Sequence, residues 1–252
     1  MNLGISGKTA LVTGAGRGLG EAICYALARE GVRIVAVSRT EQSLRAVWRN
    51  LGGKESSHTY HVVDLVTKAG PSRLINTIMK QGDDPDIVIH NVGGNADVKD
   101  PFCSVGDWRK VMRLNLEVSI ELNNHFIPRM RERKWGRVCH ISSIAAVKDR
   151  HSIPYSTAKA ALNTYVRGLA TVTATDNVVV TAVMPGAIKT KNGIWDQRLR
   201  RNPTKTTEFV KSRLAIQRFA NCEEISEVVA FLCSKLSSFF CGPAIAVDGG
   251  TY

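Results

Sequence analysis

The sequence predicts an α/β fold, a parallel sheet doubly wound with helices on both faces. Three observations lead to it. Short β-rich runs alternate with segments of helical period along the whole chain. Two of those runs, Ile87-Val88-Ile89 and Val178-Val179-Val180, are apolar at consecutive residues, as strands buried on both faces require. A glycine-rich turn, Thr13-Gly14-Ala15-Gly16-Arg17-Gly18-Leu19-Gly20, joins the first strand to the first helix.

In chain order, the strands are expected at 9–13, 33–37, 59–63, 86–90, 136–142, 178–184 and 244–247. The helices fall between them at 18–30, 41–51, 68–80, 106–133, 154–173 and 223–234. The helices at 106–133 and 154–173 are long. The second carries Ala158, Ala160 and Ala161, small residues that pack closely on the sheet or on a second copy of the chain. No repeat, low-complexity segment or linker divides the chain, so one domain over 1–252 is expected.

Composition narrows the function. The chain has 252 residues, 44% of them hydrophobic, which supports a sizeable core. No apolar run approaches the ~18 residues needed to cross a bilayer. The first strand begins almost at once, with no basic segment and apolar stretch before it, so no export signal and a cytoplasmic location are expected. The six cysteines are scattered without a C-x-x-C pair and read as reduced thiols. Histidines do not cluster, so no metal site is expected. The net charge of +12 invites a nucleic-acid partner, but no zinc-finger, RNP-like or heptad pattern accompanies it and aromatics are only 6%. Neither a nucleic-acid nor a membrane partner is expected.

Gly14, Gly16, Gly18 and Gly20 follow a strand and open a helix. Such glycines let the backbone turn tightly and approach a pyrophosphate lying on the helix N-terminus. The spacing is G-x-x-x-G-x-G, and the strand–turn–helix context supports dinucleotide binding. At the end of the second strand an NAD site usually offers an acid to the ribose 2′-hydroxyl. This chain reads Val37-Ser38-Arg39-Thr40 and has none. Arg39, with Arg17 in the turn, can make charge-assisted bonds to a 2′-phosphate, so NADP(H) is the expected cofactor. Solvent exposure for Arg17 and a bond to the next helix for Arg39 are the plain alternatives. Asp64, followed by Leu65, is placed to receive the adenine amino group, or else to cap the next helix.

Tyr155 and Lys159 are four residues apart on a predicted helix and share a face. An ammonium beside a phenol favours the phenolate and lowers its pKa, which suits proton transfer between ketone and alcohol.

Together these residues resemble the short-chain dehydrogenase/reductase family, in its single-domain branch of ~250 residues. The resemblance runs through the turn at Thr13 to Gly20, Asn91-Val92-Gly93, Asn115, a serine at 142 or 143, Tyr155 with Lys159, Pro185-Gly186 with Thr190, and Val247-Asp248-Gly249-Gly250. It implies a Rossmann fold with a seven-stranded sheet of order 3-2-1-4-5-6-7, and a homodimer or homotetramer through the two long helices. It implies that Tyr155 is the general acid in reduction and that Lys159 tunes it and holds the nicotinamide ribose. The serine would orient the carbonyl. Asn115 would hold a relay water through its backbone. Leu19, Asn91, Gly93, Pro185, Gly186, Ile188 and Thr190 would line the cofactor. The family often has Asn-Asn-Ala-Gly where this chain has His90-Asn91-Val92-Gly93. His90 is expected to bond a neighbouring strand or loop. The usual serine-to-tyrosine interval selects Ser142, but strand register from Gly136 selects Ser143, because a one-residue slip reverses a side chain. Register is the stronger constraint, so Ser143 is the expected catalytic serine, with Ser142 behind it.

Between Gly186 and Arg218 stand nine Lys/Arg against two acids. This segment falls where the family places its substrate-covering lid, about 189–218. Trp195 and Ile194 would give it an apolar wall. Arg198, Arg200 and Arg201 would attract an anionic substrate, or merely form a solvated basic face. The expected partner is a small-molecule or carrier-linked ketone or alcohol. A 3-oxoacyl carrier-protein reductase-like enzyme is the nearest specific reading, with Arg131, Arg133 and Lys134 available to an acidic carrier. A secondary-metabolite or sugar oxidoreductase is the alternative. A catalytically silent NADP sensor is the non-enzyme alternative, and the complete Asn-Ser-Tyr-Lys set argues against it.

Overall fold

The computed structural model describes residues 1–148 and 152–251. Seven strands form one parallel sheet: β1 (Thr9–Thr13), β2 (Arg33–Ser38), β3 (Thr59–Val62), β4 (Ile87–His90), β5 (Gly136–Ile141), β6 (Val178–Pro185) and β7 (Ala244–Val247). Their order is β3-β2-β1-β4-β5-β6-β7. The expected order and parallel sense are therefore observed. The chain leaves β1 in opposite directions to reach β2 and β4. That reversal opens a crevice at the carboxyl ends of β1 and β4, where ligands of such sheets bind.

Side-chain alternation divides the core in two. Ala10, Val12, Ile87, Ile89, Cys139 and Ile141 face one layer, which includes α1 (Gly18–Arg29), α2 (Glu41–Asn50) and α9 (Cys222–Leu232). Leu11, Val88, Val138, Val178 and Val180 face the other, with α3 (Gly70–Gln81), α5 (Val118–Glu132) and α6 (Ile153–Thr173). Period-two alternation is hidden in the sequence because both faces are apolar. Phe126, Leu122 and Leu162 are almost wholly buried, and each such side chain is worth ~1.5–3 kcal/mol of burial.

The long helix expected at 106–133 is not uniform. It runs as α4 (Val105–Met112), a π-helical turn at Arg113–Glu117, then α5. The extra residue per turn centres on Asn115, and such insertions often mark functional positions. The basic segment 189–218 also departs from a plain loop. It contains α7 (Ile194–Arg201) and α8 (Pro203–Arg213), joined at Asn202, whose side chain caps α8 by accepting from the Lys205 amide at 3.0 Å. The loop between Ser143 and Pro154 includes 149–151, which lie outside the described residues.

Candidate active site

Every element of the site sits at the carboxyl edge of the sheet. After β1, Gly14 and Gly18 adopt left-handed backbone, with φ of +65° and +57°. Gly20 is needed for proximity, since a Cβ there would stand 2.2 Å from the Gly14 carbonyl oxygen. No side chain caps α1, so its first amides point into the crevice without an intrahelical partner, which suits a pyrophosphate. This turn fits a dinucleotide. The Thr13 hydroxyl donates to Ile89 O at 3.1 Å and accepts from the Asn91 amide at 3.0 Å, joining the ends of β1 and β4. The Asn91 side chain donates to Thr13 O and Gly14 O at 3.2 and 3.1 Å. Asn91 thus braces the glycine turn through its side chain.

Arg17 and Arg39 are exposed, and neither side chain has a hydrogen bond or ion pair among the described residues. Arg39 therefore does not bond the next helix. The Ser38 hydroxyl accepts from the Thr40 amide at 3.4 Å. Asp64 Oδ1 accepts from the Val66 amide at 3.0 Å, which makes it a turn-former ahead of α3 and not its cap, since Ala69 holds that position. Leu65 is buried in the α3–α5 layer, so only its backbone is left to face a ligand. Gly186 is pressed against the strand-end residue Asp248, where a Cβ would fall 2.7 Å from its Cα. Ile188 bridges to Ala220, and Thr190 packs on Gly18, bringing the lid root to the glycine turn.

The Ser143 hydroxyl lies beside the Tyr155 phenol and pulls its pKa down against the stronger upward push of burial. It also accepts from the Ala145 amide at 3.1 Å, starting a tight turn. Ser142 is buried, with its hydroxyl 3.5 Å from Lys159 O. Lys159 lies one turn beyond Tyr155, fully enclosed, and its Nζ donates to Ile141 O at 2.7 Å. Burial lowers its pKa to about 7. The ammonium is 5.8 Å from the Tyr155 ring centre and turned to the end of β5. The phenol is raised by desolvation, and Ser143 is the group that opposes the rise.

Asn115 is buried beside this pair. Its amide nitrogen donates to Gly94 O at 2.7 Å and Val111 O at 2.8 Å, and its oxygen accepts from the Gly94 amide at 3.0 Å. A Cβ on Gly93 would meet Asn115 Oδ1 at 2.9 Å and Lys159 Nζ at 3.0 Å. Only glycine lets that strand end lie between them. A cavity of about 10 Å³ opens among Thr13, His90, Leu114, Asn115 and Ser119, room for one water.

Sequence reasoning missed the polar group behind this cavity. His90 was expected to bond a strand or loop. Instead its Nε2 meets Asn123 Oδ1 on α5 at 2.8 Å, and its ring stacks on His140, with centroids 4.5 Å apart. Asn123 also donates to His140 Nε2 at 3.3 Å and to the Tyr165 hydroxyl at 3.2 Å. The available signal was parity: His90 and His140 are register partners on the face that α5 and α6 cover.

On the lid, Trp195 stacks on Phe209 at 4.9 Å and leans on Phe219, while Ile194 is exposed. The Arg198 guanidinium lies over the Trp195 ring at 4.8 Å. Arg200 is bound to Asp196 at 2.8 Å, which separates it from Arg198 and Arg201. The basic cluster after α5 has intramolecular partners too. Arg131 and Lys134 pair with Asp176 at 2.6 and 2.5 Å, and Arg133 pairs with Asp84. Among the described residues, no helix is long and apolar enough to cross a membrane.

The chain is similar to known proteins over most of its length. The family model for short chain dehydrogenases matches residues 8–198. The chain is 30% identical to a 3-oxoacyl-[acyl-carrier-protein] reductase of Aquifex aeolicus, covering all of both chains. It is 33% identical to a tropinone reductase homolog of Arabidopsis thaliana, over 98% of this chain and 92% of that one. Its structure resembles L-sorbose reductase of Gluconobacter frateurii, solved with NADPH and L-sorbose, with a TM-score of 0.90 at 30% identity over 100% and 98% of the two chains. A strand-end cradle, a paired serine and tyrosine, and a match across most of the chain lead to one conclusion: the chain belongs to the short-chain dehydrogenase family and is an NAD(P)-dependent oxidoreductase.

Proposed function

We propose that the protein interconverts a ketone and a secondary alcohol with NADP(H), using Tyr155 as the general acid in reduction and the general base in oxidation. The observation that carries this reading is the convergence of Ser143, Tyr155 and Lys159: Ser143 lies beside the phenol it lowers, and Lys159 Nζ is 5.8 Å from the Tyr155 ring centre, one helical turn on. Bound NADPH supplies the hydride. Tyr155 Oη gives its proton to the carbonyl oxygen as that oxygen gains charge. Ser143 Oγ donates to the same oxygen and stabilises it. Lys159 Nζ, beside Gly93, holds ribose hydroxyls, and its charge on that side favours the phenolate once the proton has left. Asn115, in the π-turn, keeps a backbone carbonyl available for a relay water. The chain acts as one domain over 1–252, covered by the lid at about 189–218.

NADP(H) is favoured over NAD(H) because β2 ends without an acid and the Arg17 and Arg39 side chains have no partner among the described residues. The NADPH-bound sorbose reductase supports the same choice. For the substrate, a small polyol or sugar ketone is supported by that similarity, and a 3-oxoacyl thioester by the similarity to the carrier-protein reductase. The engagement of Arg131, Arg133 and Lys134 in ion pairs weighs against a carrier docked on that cluster. A homodimer or homotetramer through α4–α5 and α6 is supported by exposed Val105 and Val172 on those helices.

The test is a ketone panel with purified protein, including L-sorbose and an acetoacetyl thioester, followed by loss of NADPH absorbance. Turnover of at least one ketone, reduced at least ~100-fold in Tyr155→Phe with NADPH binding retained, is the expected result. A Tyr155→Phe protein as active as the parent overturns the assignment.

A further inference from the structure

We propose that the cleft between α7 and α8 is a binding site for a small organic anion with a flat apolar body, such as an aryl or acyl phosphate or carboxylate. The proposal deepens the reading of the lid given above, but it concerns binding and does not depend on Tyr155 chemistry. The cleft has a volume of about 450 Å³. Its wall is the stacked Trp195–Phe209 pair, and Arg198, Arg201, Asn202 and Lys205 complete it.

The charges are what make this cleft specific. None of its lining residues is acidic. Arg198, Arg201 and Lys205 make no ion pair with any described carboxylate, whereas Arg200, on the same short helix, is held by Asp196. Asp196 also accepts from the Asn192 amide at 2.9 Å, and Glu208, the other acid of this segment, is not among the lining residues. Three unpaired cations around one concavity repel each other, and an anion relieves that repulsion. Asn202 uses its oxygen to cap α8, which leaves its amide nitrogen as a further donor. The Arg198–Trp195 stack adds a flat surface on which a planar group can lie with the cation already in place. Charge alone would bind inorganic phosphate; charge beside an aromatic wall selects an anion with an apolar body.

The ligand has two possible sources, the anionic end of the oxidoreductase substrate or a separate small-molecule effector. Their shared chemistry is the same, and kinetics separate them.

The experiment titrates the full-length protein with phenyl phosphate, benzoate, inorganic phosphate and benzyl alcohol, reading tryptophan fluorescence, with Trp195→Phe to assign the signal. Phenyl phosphate should bind saturably at about millimolar concentration or tighter. Inorganic phosphate and benzyl alcohol should bind more weakly. Arg201→Ala with Lys205→Ala should weaken phenyl phosphate roughly tenfold or more, and Arg200→Ala should leave it unchanged. The same pattern should hold in Tyr155→Phe, so failure of the catalytic assignment and failure of this site are distinguishable. A raised KM for an acidic ketone in the double variant identifies the substrate as the ligand; an unchanged KM with altered turnover on adding phenyl phosphate identifies an effector. Absence of saturable binding, or equal loss in Arg200→Ala and in the double variant, overturns the proposal.

Discussion

Lys159 Nζ donates to the Ile141 carbonyl at 2.7 Å, pinning the first turns of α6 to the last residue of β5. That one bond sets the spacing between the strand end carrying Ser142 and Ser143 and the helix carrying Tyr155. It also takes a charged group out of water, which is why burial lowers the lysine to about 7.

Ser143→Ala should reduce turnover by roughly 100-fold or more, on the scale of a lost oxyanion partner. Ser142→Ala should cost far less, because that hydroxyl makes only a long 3.5 Å bond to Lys159 O. Steady-state kinetics of the two variants settle the assignment, and the reverse order would return the role to Ser142.

Arg39→Asp should erase or reverse a preference for NADPH over NADH. The 2′-phosphate would lose a charge-assisted partner and meet an acid. Binding titrations with both cofactors check this; equal affinities in the parent protein would remove the argument from Arg39.

Acidification should destabilise the fold through the stacked histidines. Burial lowers His90 to about 4 and pushes His140 in the same direction. Both are disfavoured as cations in the folded chain, so the unfolded chain takes up protons first as pH falls below the ordinary value of 6.5. Stability is thus present above that value and is lost on the way down to about 4. His90 alone should cost about 2 kcal/mol between pH 7 and pH 5. Denaturant unfolding at the two pH values should show the loss, and His90→Asn should show a smaller one.

Two glycines should respond oppositely to alanine. Gly20→Ala places a Cβ 2.2 Å from a backbone oxygen, so the turn must shift. NADPH affinity should fall roughly tenfold or more, and the melting temperature should drop with it. Gly168 in α6 is exposed and has open space around it. Gly168→Ala should stabilise the protein by about 0.5–1 kcal/mol. Thermal melts and cofactor titration read both.

The sheet, its parallel sense and most of the crevice were legible in local pattern along the chain. Short runs of β-branched valine and isoleucine bounded by turn residues read as strands buried on both faces, and glycines at a strand–helix junction signal a tight turn. Ser143 lies two residues past Ile141, beyond the end of β5, so its place beside Tyr155 rests on the turn it starts with Ala145. What lies beyond local pattern depended on chain segments far apart in sequence. The π-turn at Asn115 leaves the hydrophobic period almost unchanged, so a helix was legible and its insertion was not. Which lid arginine is neutralised depends on the rotation of α7, which brings Asp196 to Arg200 and leaves Arg198 on Trp195. Lys159 looked in the sequence like the tuner of Tyr155, four residues away on one face. Only the docking of α6 against β5 decided that its ammonium turns to the Ile141 carbonyl, because a buried donor must find the nearest acceptor that packing provides.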